Sequence, residues 1–214
     1  RKEAQGYYAH CEALDNSIGD LLAEIDRSGI KNNTILVFTS DHGEMMGSHG
    51  IRPNRKQVPW SESASVPFLL RYPAGLGDKG HVVNMPINTP DIFPTLLGLA
   101  GLKIPVSCEG ENIAPVLKKG NITKKRAVLY MNVAPFGGDQ ELRTEYRGLK
   151  TNKYTYVRNL EGSWLLFDDS EDPLQMDNLV DKPQYSSLKK ELNTKLDSLL
   201  HKIGIYLSLG LFIL

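Results

Sequence analysis

The sequence has 214 residues, 41% of them hydrophobic, enough for one globular core with a small second lobe. Its 25 Lys and Arg balance 25 Asp and Glu, so no basic excess points to nucleic acid and no acidic block to a solvated tail. Cys11 and Cys108 stand far apart and outside any metal-binding spacing; they read as two unrelated thiols, with a long-range disulfide as the alternative.

The chain opens at Arg1 with helical periodicity from Ala4 onward, so a longer parent extending upstream is expected. Leu14, Ile18, Leu21, Leu22 and Ile25 recur at spacings of three and four, which predicts a helix with one apolar face, closed near Gly29. Thr34 to Ser40 is a continuous apolar, β-branched run. It predicts a strand buried on both faces in a parallel sheet. Asp41 to Pro59 has no apolar period and is long for a connection, which marks a functional loop. Val66 to Tyr72 predicts a second strand, and Thr89-Pro90-Asp91 starts a helix that ends near Gly101, with Asp91 placed against the positive end of its dipole.

Composition changes after Leu102. Ala127 to Val133, Tyr146 to Lys150, Tyr154 to Val157 and Trp164 to Phe167 predict a small antiparallel sheet, with a hairpin turn at Thr151 to Lys153. Leu188, Leu192, Leu196, Leu199 and Leu200 predict a last amphipathic helix. Gly204 to Leu214 is apolar but short of the roughly 20 residues that span a bilayer. The fold class is therefore α/β with a small antiparallel α+β lobe. The predicted division is 1–102, then 103–203, then an apolar tail 204–214 that reads as an interface segment or a truncation scar; the boundary lies near residues 103 to 125.

Asp41 and His42 directly follow the first strand. Ligands bind beyond the carboxyl ends of strands in open α/β sheets, and both side chains are competent metal donors. Gly43 lets the backbone turn so that the two adjacent residues face one ion. An isolated Asp-His-Gly has a second reading, a turn cap beside an incidental histidine. The wider context decides between them. Thr39 to Gly50 reads TSDHGEMMGSHG; Lys56, Glu62, Val66-Pro67 and Arg71 to Pro73 follow in order. This resembles the sulfatase family of the alkaline-phosphatase-like superfamily. The resemblance continues through Ile87 to Leu97, Cys108 to Gly110, Tyr146 to Gly148, Lys153 to Tyr156, Leu166 to Asp168, Asp172-Pro173 and Asn178-Leu179, with Gln175 where the family commonly has Glu. It covers about residues 5 to 200.

The resemblance implies an alkaline-phosphatase-like sandwich for the first lobe, mostly parallel sheet with flanking helices. It implies hydrolysis of sulfate esters, with a sulfated carbohydrate or aryl sulfate as substrate. By position, Asp41 and His42 match the family's second pair of ligands for a divalent cation, usually Ca2+. Lys56 matches the lysine that holds a sulfate oxygen and stabilises the leaving group. The loop is slightly longer than in many relatives, with Pro53-Asn54 as the addition, and counting back from Val66-Pro67 selects Lys56 over Arg55. His49 lies in the matched turn and is read as mainly structural, with a substrate-side contact as the alternative. Imidazole is an unusual partner for so hard an ion as Ca2+ and suits Mn2+ or Zn2+ better, with Mg2+ a further alternative. It also keeps a metal-dependent phosphoesterase or phosphonate hydrolase as the second reading, and a non-catalytic fragment or degenerate homologue as the third. The family's nucleophile is a formylglycine made from a C/S-x-P-x-R motif, which neither Cys11 nor Cys108 fits. This chain alone is therefore expected to be inactive, with an exposed apolar face where further sheet is expected. Export to the periplasm, the cell exterior or the lysosome follows from the resemblance; Asn32 and Asn121 begin sequons that matter only in a eukaryotic secretory setting.

Overall fold

The computed structural model describes residues 2–120, 122–134 and 144–205. The predicted apolar tail lies outside them from residue 206 onward, as does Asn121 of the second sequon. Among the described residues no helix is long and apolar enough to cross a membrane. They form two compact units. One comprises residues up to Lys56, Ser65–Asn84 and Thr89–Thr123; the other comprises Gln57–Ala64, Met85–Asn88 and residues from Lys124 onward.

In the first unit, α1 (Lys2–Arg27) carries Glu3 in its first turn and Arg27 in its last, each favourable to the helix dipole. Gly29 follows in the left-handed conformation (φ 70°) that ends many helices. No residue of α1 is buried, and Leu14 and Leu21 are each 54% exposed. The apolar face predicted from periodicity is thus present and uncovered. Asp26, at its end, pairs with Arg71 at 2.5 Å. Arg71 closes β2 (Phe68–Arg71), which runs antiparallel to β1 (Leu36–Thr39) with Leu36 opposite Arg71 and Thr39 opposite Phe68. Here the expectation for the apolar run is corrected: its described partner is antiparallel, and none of its four residues is fully buried. An apolar run reports that a strand needs covering; it does not report the direction of its neighbour.

Short helices α2 (Ser61–Ala64, in the second unit) and α3 (Pro73–Leu76) flank β2 in sequence. The pair β3 (Val83–Asn84) and β4 (Ile122–Thr123) is parallel. Between them lie α4 (Thr89–Leu99) and α5 (Ala114–Leu117). Pro94 inside α4 has no N–H for the Pro90 carbonyl, and Gly110 packs against that carbonyl so closely that any Cβ would strike it. Asp91 and Thr95, both buried, then capture the same passing segment. Asp91 Oδ1 accepts the Glu111 amide at 2.8 Å, and Thr95 Oγ1 accepts the Ile113 amide at 3.1 Å. Asp91 sits in the first turn as predicted, but it also binds a loop twenty residues away.

The second unit is a meander of β5 (Ala127–Asn132), β6 (Tyr146–Thr151), β7 (Tyr154–Asn159) and β8 (Gly162–Asp168), followed by α6 (Ser186–Lys202). Thr151 Oγ1 accepts the Lys153 and Tyr154 amides and closes the predicted hairpin turn. Side chains alternate across the sheet. Leu149, Tyr156 and Leu166 form one cross-strand row, packed with Leu192, Leu196 and Leu200 of α6. Leu165 and Phe167 face the other way, with Tyr146, Val157, Tyr130, Trp60 and Trp164. Gly148 is required opposite Tyr130, whose ring occupies the place of a Cβ.

Asp168, at the end of β8, accepts the Ser170 hydroxyl at 2.6 Å and lies 3.2 Å from Lys153 Nζ. Burial alone raises its pKa, but Ser170 and Lys153 together outweigh it and hold the carboxyl below its ordinary value. A carboxyl lowered by folding adds stability above its unfolded pKa of about 3.9 and loses it as pH falls through the folded value. Asp168→Asn is therefore expected to lower the urea midpoint at pH 7. The two unfolding curves should approach each other as pH falls below the unfolded value and meet only once it has passed through the lowered folded one.

Candidate functional site

The loop after β1 is held in an unusual backbone conformation. Five non-glycine residues among those described have positive φ: Met46, His49, Asn54, Gln57 and Gln175. Four of the five fall within residues 46–57. Such conformations cost of order 1 kcal/mol or more each and persist where surrounding contacts enforce them, characteristically at functional sites.

The enforcing contacts start with Glu44. Its Oε1 accepts the Asn54 amide at 2.7 Å and the Met46 amide at 3.2 Å, drawing the two limbs of the loop together. The Met45 amide reaches the Arg55 carbonyl at 3.4 Å, and the buried Met45 and Ile51 give the loop an apolar plug. Sequence reasoning gave Glu44 no role of its own. Its place beside Asp-His-Gly was visible, but an acidic side chain reaching ten residues ahead leaves no periodic trace.

At the base of this loop, Asp41, His42 and Lys56 come together. His42 Nδ1 lies 2.7 Å from the Gly43 carbonyl, an acceptor only, so Nδ1 carries the proton and Nε2 keeps its lone pair. Lys56 Nζ donates to that lone pair at 2.8 Å. Asp41 Oδ2 lies 3.6 Å from the same nitrogen. The Asp41 side chain is 84% exposed and that of His42 36%, so both donors are open to solvent. Desolvation raises the Asp41 pKa, but His42, the Asp41 and His42 amides and Lys56 together hold the carboxyl below its ordinary value. It is a carboxylate at neutral pH.

Asp41 Oδ2 and His42 Nε2 fit two neighbouring ligands of one divalent cation: an anionic oxygen and an imidazole lone pair, close together and facing solvent. Among the described residues no group of three or more His, Cys, Asp and Glu gathers as a complete cage. His49 lies in the turn Ser48–Gly50, half-buried and left-handed (φ 54°), and the contacts that join Asp41, His42 and Lys56 do not include it. Cys11 and Cys108 are both free thiols, and His10 is an exposed residue of α1.

The family described as N-sulphoglucosamine sulphohydrolase, C-terminal, matches residues 47–202. The ulvan-active sulfatase of Formosa agariphila is 49% identical over 204 residues, covering 95% of this chain and 40% of that protein. Among solved structures, that of BT4656 in complex with its substrate D-glucosamine-2-N,6-O-disulfate superposes with a TM-score of 0.75 at 26% identity, covering 90% of this chain and 39% of that one. The phosphonate monoester hydrolase of Agrobacterium radiobacter superposes with a TM-score of 0.67 at 25% identity, covering 88% of this chain and 39% of that one. The chain thus spans about two fifths of the length of the relatives it matches.

Proposed function

This chain belongs to the sulfatase family and corresponds to its C-terminal portion, and on that premise we propose that its parent protein hydrolyses sulfate esters, with Asp41, His42 and Lys56 forming part of the active site. The single observation behind this reading is the convergence of Lys56 Nζ and Asp41 Oδ2 on His42 Nε2, at 2.8 and 3.6 Å, in a loop of enforced positive-φ backbone. A sulfate ester carries one negative charge and develops more on its leaving oxygen. Positive groups fixed beside that oxygen lower the barrier.

In this scheme Asp41 and His42 hold part of a divalent-cation site, most naturally for Ca2+ by family, with Mn2+ or Zn2+ better suited to the imidazole donor and Mg2+ a further alternative. The cation, when bound, neutralises sulfate oxygen charge. His42 is held in the ligating tautomer by the Gly43 carbonyl, the usual device for orienting a metal-binding imidazole. Lys56 binds a sulfate oxygen and stabilises the departing one. His49 shapes the turn. The substrate class is a sulfated carbohydrate, in keeping with the ulvan-active relative and the glucosamine disulfate complex, or an aryl sulfate.

A second reading, phosphonate or phosphate ester hydrolysis, is favoured by the superposition on a phosphonate monoester hydrolase. One experiment separates the two. This chain replaces the matching portion of the Formosa agariphila relative, and the chimera is assayed with an aryl sulfate and an aryl phosphonate monoester. Preference for the sulfate supports the proposal; preference for the phosphonate overturns it. The 214-residue chain alone, which has no C/S-x-P-x-R motif, is expected to turn over neither ester above background.

A further inference from the structure

We propose that Gln175 is a positioning residue for Lys56, acting through the strap Gln57–Ser61. The inference rests on the reading of Lys56 as the sulfate-binding cation.

The strap directly follows Lys56, and residues distant in sequence grip it along its length. Asn132 Nδ2 donates to the Gln57 carbonyl at 3.1 Å. Tyr130 Oη donates to the Pro59 carbonyl at 3.1 Å; burial pushes this hydroxyl's pKa well up, so it keeps its proton. Trp60 meets Trp164 edge-on at 5.5 Å between ring centroids. Lys150 Nζ donates to Ser61 Oγ at 3.2 Å, and Gln175 Oε1 accepts the Ser61 amide at 2.9 Å. Consecutive Cα atoms lie about 3.8 Å apart, so fixing residue 57 fixes one end of the backbone from which Lys56 reaches out.

Gln175 is the buried centre of this grip. It is 2% exposed and holds a left-handed backbone (φ 55°), the only such non-glycine residue among those described outside the 46–57 loop. Both ends of its carboxamide are used. Nε2 donates to Asp169 Oδ1 at 2.8 Å and to Thr155 Oγ1 at 3.2 Å. Thr155 Oγ1 donates to Asp169 Oδ2 at 2.7 Å, and Lys150 Nζ lies 3.4 Å from that oxygen. Asp169 accepts from both Thr155 Oγ1 and the amide nitrogen, which leaves the amide oxygen to face the Ser61 N–H. Between the Ser61 amide and Asp169 of this chain, a neutral group with one donating and one accepting end fits. A carboxylate there would face the Asp169 carboxylate with no hydrogen between them.

The test uses the 214-residue chain and its Gln175→Leu, Gln175→Glu, Lys56→Ala and Gln175→Glu/Asp169→Asn variants. Three signals are read by NMR: exchange of the Ser61 amide, the His42 Nε2 resonance that reports the Lys56 hydrogen bond, and binding of inorganic sulfate. Gln175→Leu and Gln175→Glu are each expected to speed Ser61 exchange about tenfold. They should also move the His42 Nε2 resonance toward its Lys56→Ala position and weaken sulfate binding severalfold. The double variant relocates the negative charge and restores a donor facing an acceptor, so it should recover all three signals. A merely structural role would speed exchange throughout β8; positioning leaves the Leu166 amide at its normal rate. The proposal is overturned if His42 Nε2 keeps its wild-type resonance while Ser61 exchange rises. It is equally overturned if the double variant behaves like Gln175→Glu alone. Should Gln175→Leu fail to fold, the two variants that keep the side-chain shape decide. If Lys56→Ala leaves sulfate binding unchanged, the sulfate role of Lys56 fails, and the His42 signal still tests the strap on its own.

Discussion

Lys56→Ala in the chimera is expected to lower kcat/KM for an aryl sulfate by about 10²–10³, the loss typical of removing one fixed group that stabilises transition-state charge. Lys56 stands at the end of the enforced loop, with its ammonium 2.8 Å from His42 Nε2. Its charge is therefore held beside the two proposed cation ligands. Much of the loss should appear in kcat, because the leaving oxygen becomes most negative in the transition state and not in the bound ester. Lys56→Arg is expected to recover little. A planar guanidinium cannot reproduce a compact ammonium directed at one lone pair. Steady-state kinetics on the three proteins check this; a purely KM effect would point to simple ground-state binding.

Asp41→Ala is expected to have the larger effect, with cation affinity and sulfate turnover lost together. In the proposed site the carboxylate is the anionic half of the donor pair, and its lowered pKa keeps it ionised at neutral pH. Without it, His42 alone faces the ion. Excess cation should restore little of the activity, since the remaining imidazole is a poor sole anchor for a hard divalent ion. Isothermal titration with Ca2+ and Mn2+, run beside the activity assay, checks this. Retained affinity in Asp41→Ala would place the cation elsewhere.

Much of the fold is legible in local sequence. The short runs of β6 to β8 between turn residues, the polar turn at Thr151 to Lys153 and the leucine spacing of α6 each dictate an element that neighbouring residues alone can form. Asp41, His42 and Lys56 are legible for another reason. A motif in fixed order carries positional information that periodicity lacks, and the structure brings all three side chains together. The contacts that hold the loop are not legible. Glu44 reaches Asn54 across ten residues, and Gln175 reaches Ser61 across 114. Nothing near either residue signals the partner, because each bond depends on the tertiary path between them. The antiparallel pairing of β1 with β2 escaped the sequence for the same reason: an apolar strand looks alike whichever way its neighbour runs. Asp91 was placed correctly at a helix start, yet the Glu111 amide it binds lies on a segment that only folding delivers.

The loop from Asp41 to Lys56 is proposed to carry part of a divalent-cation site with a lysine poised at it. Adding Mn2+ stepwise to the 214-residue chain, and following paramagnetic broadening residue by residue in NMR spectra, tests it most directly. Broadening centred on Asp41 and His42 is expected. In Lys56→Ala it is expected at lower Mn2+ concentration, because Lys56 Nζ otherwise engages the His42 Nε2 lone pair that the ion needs. Broadening centred elsewhere, or none at Asp41 and His42 in either protein, would contradict it.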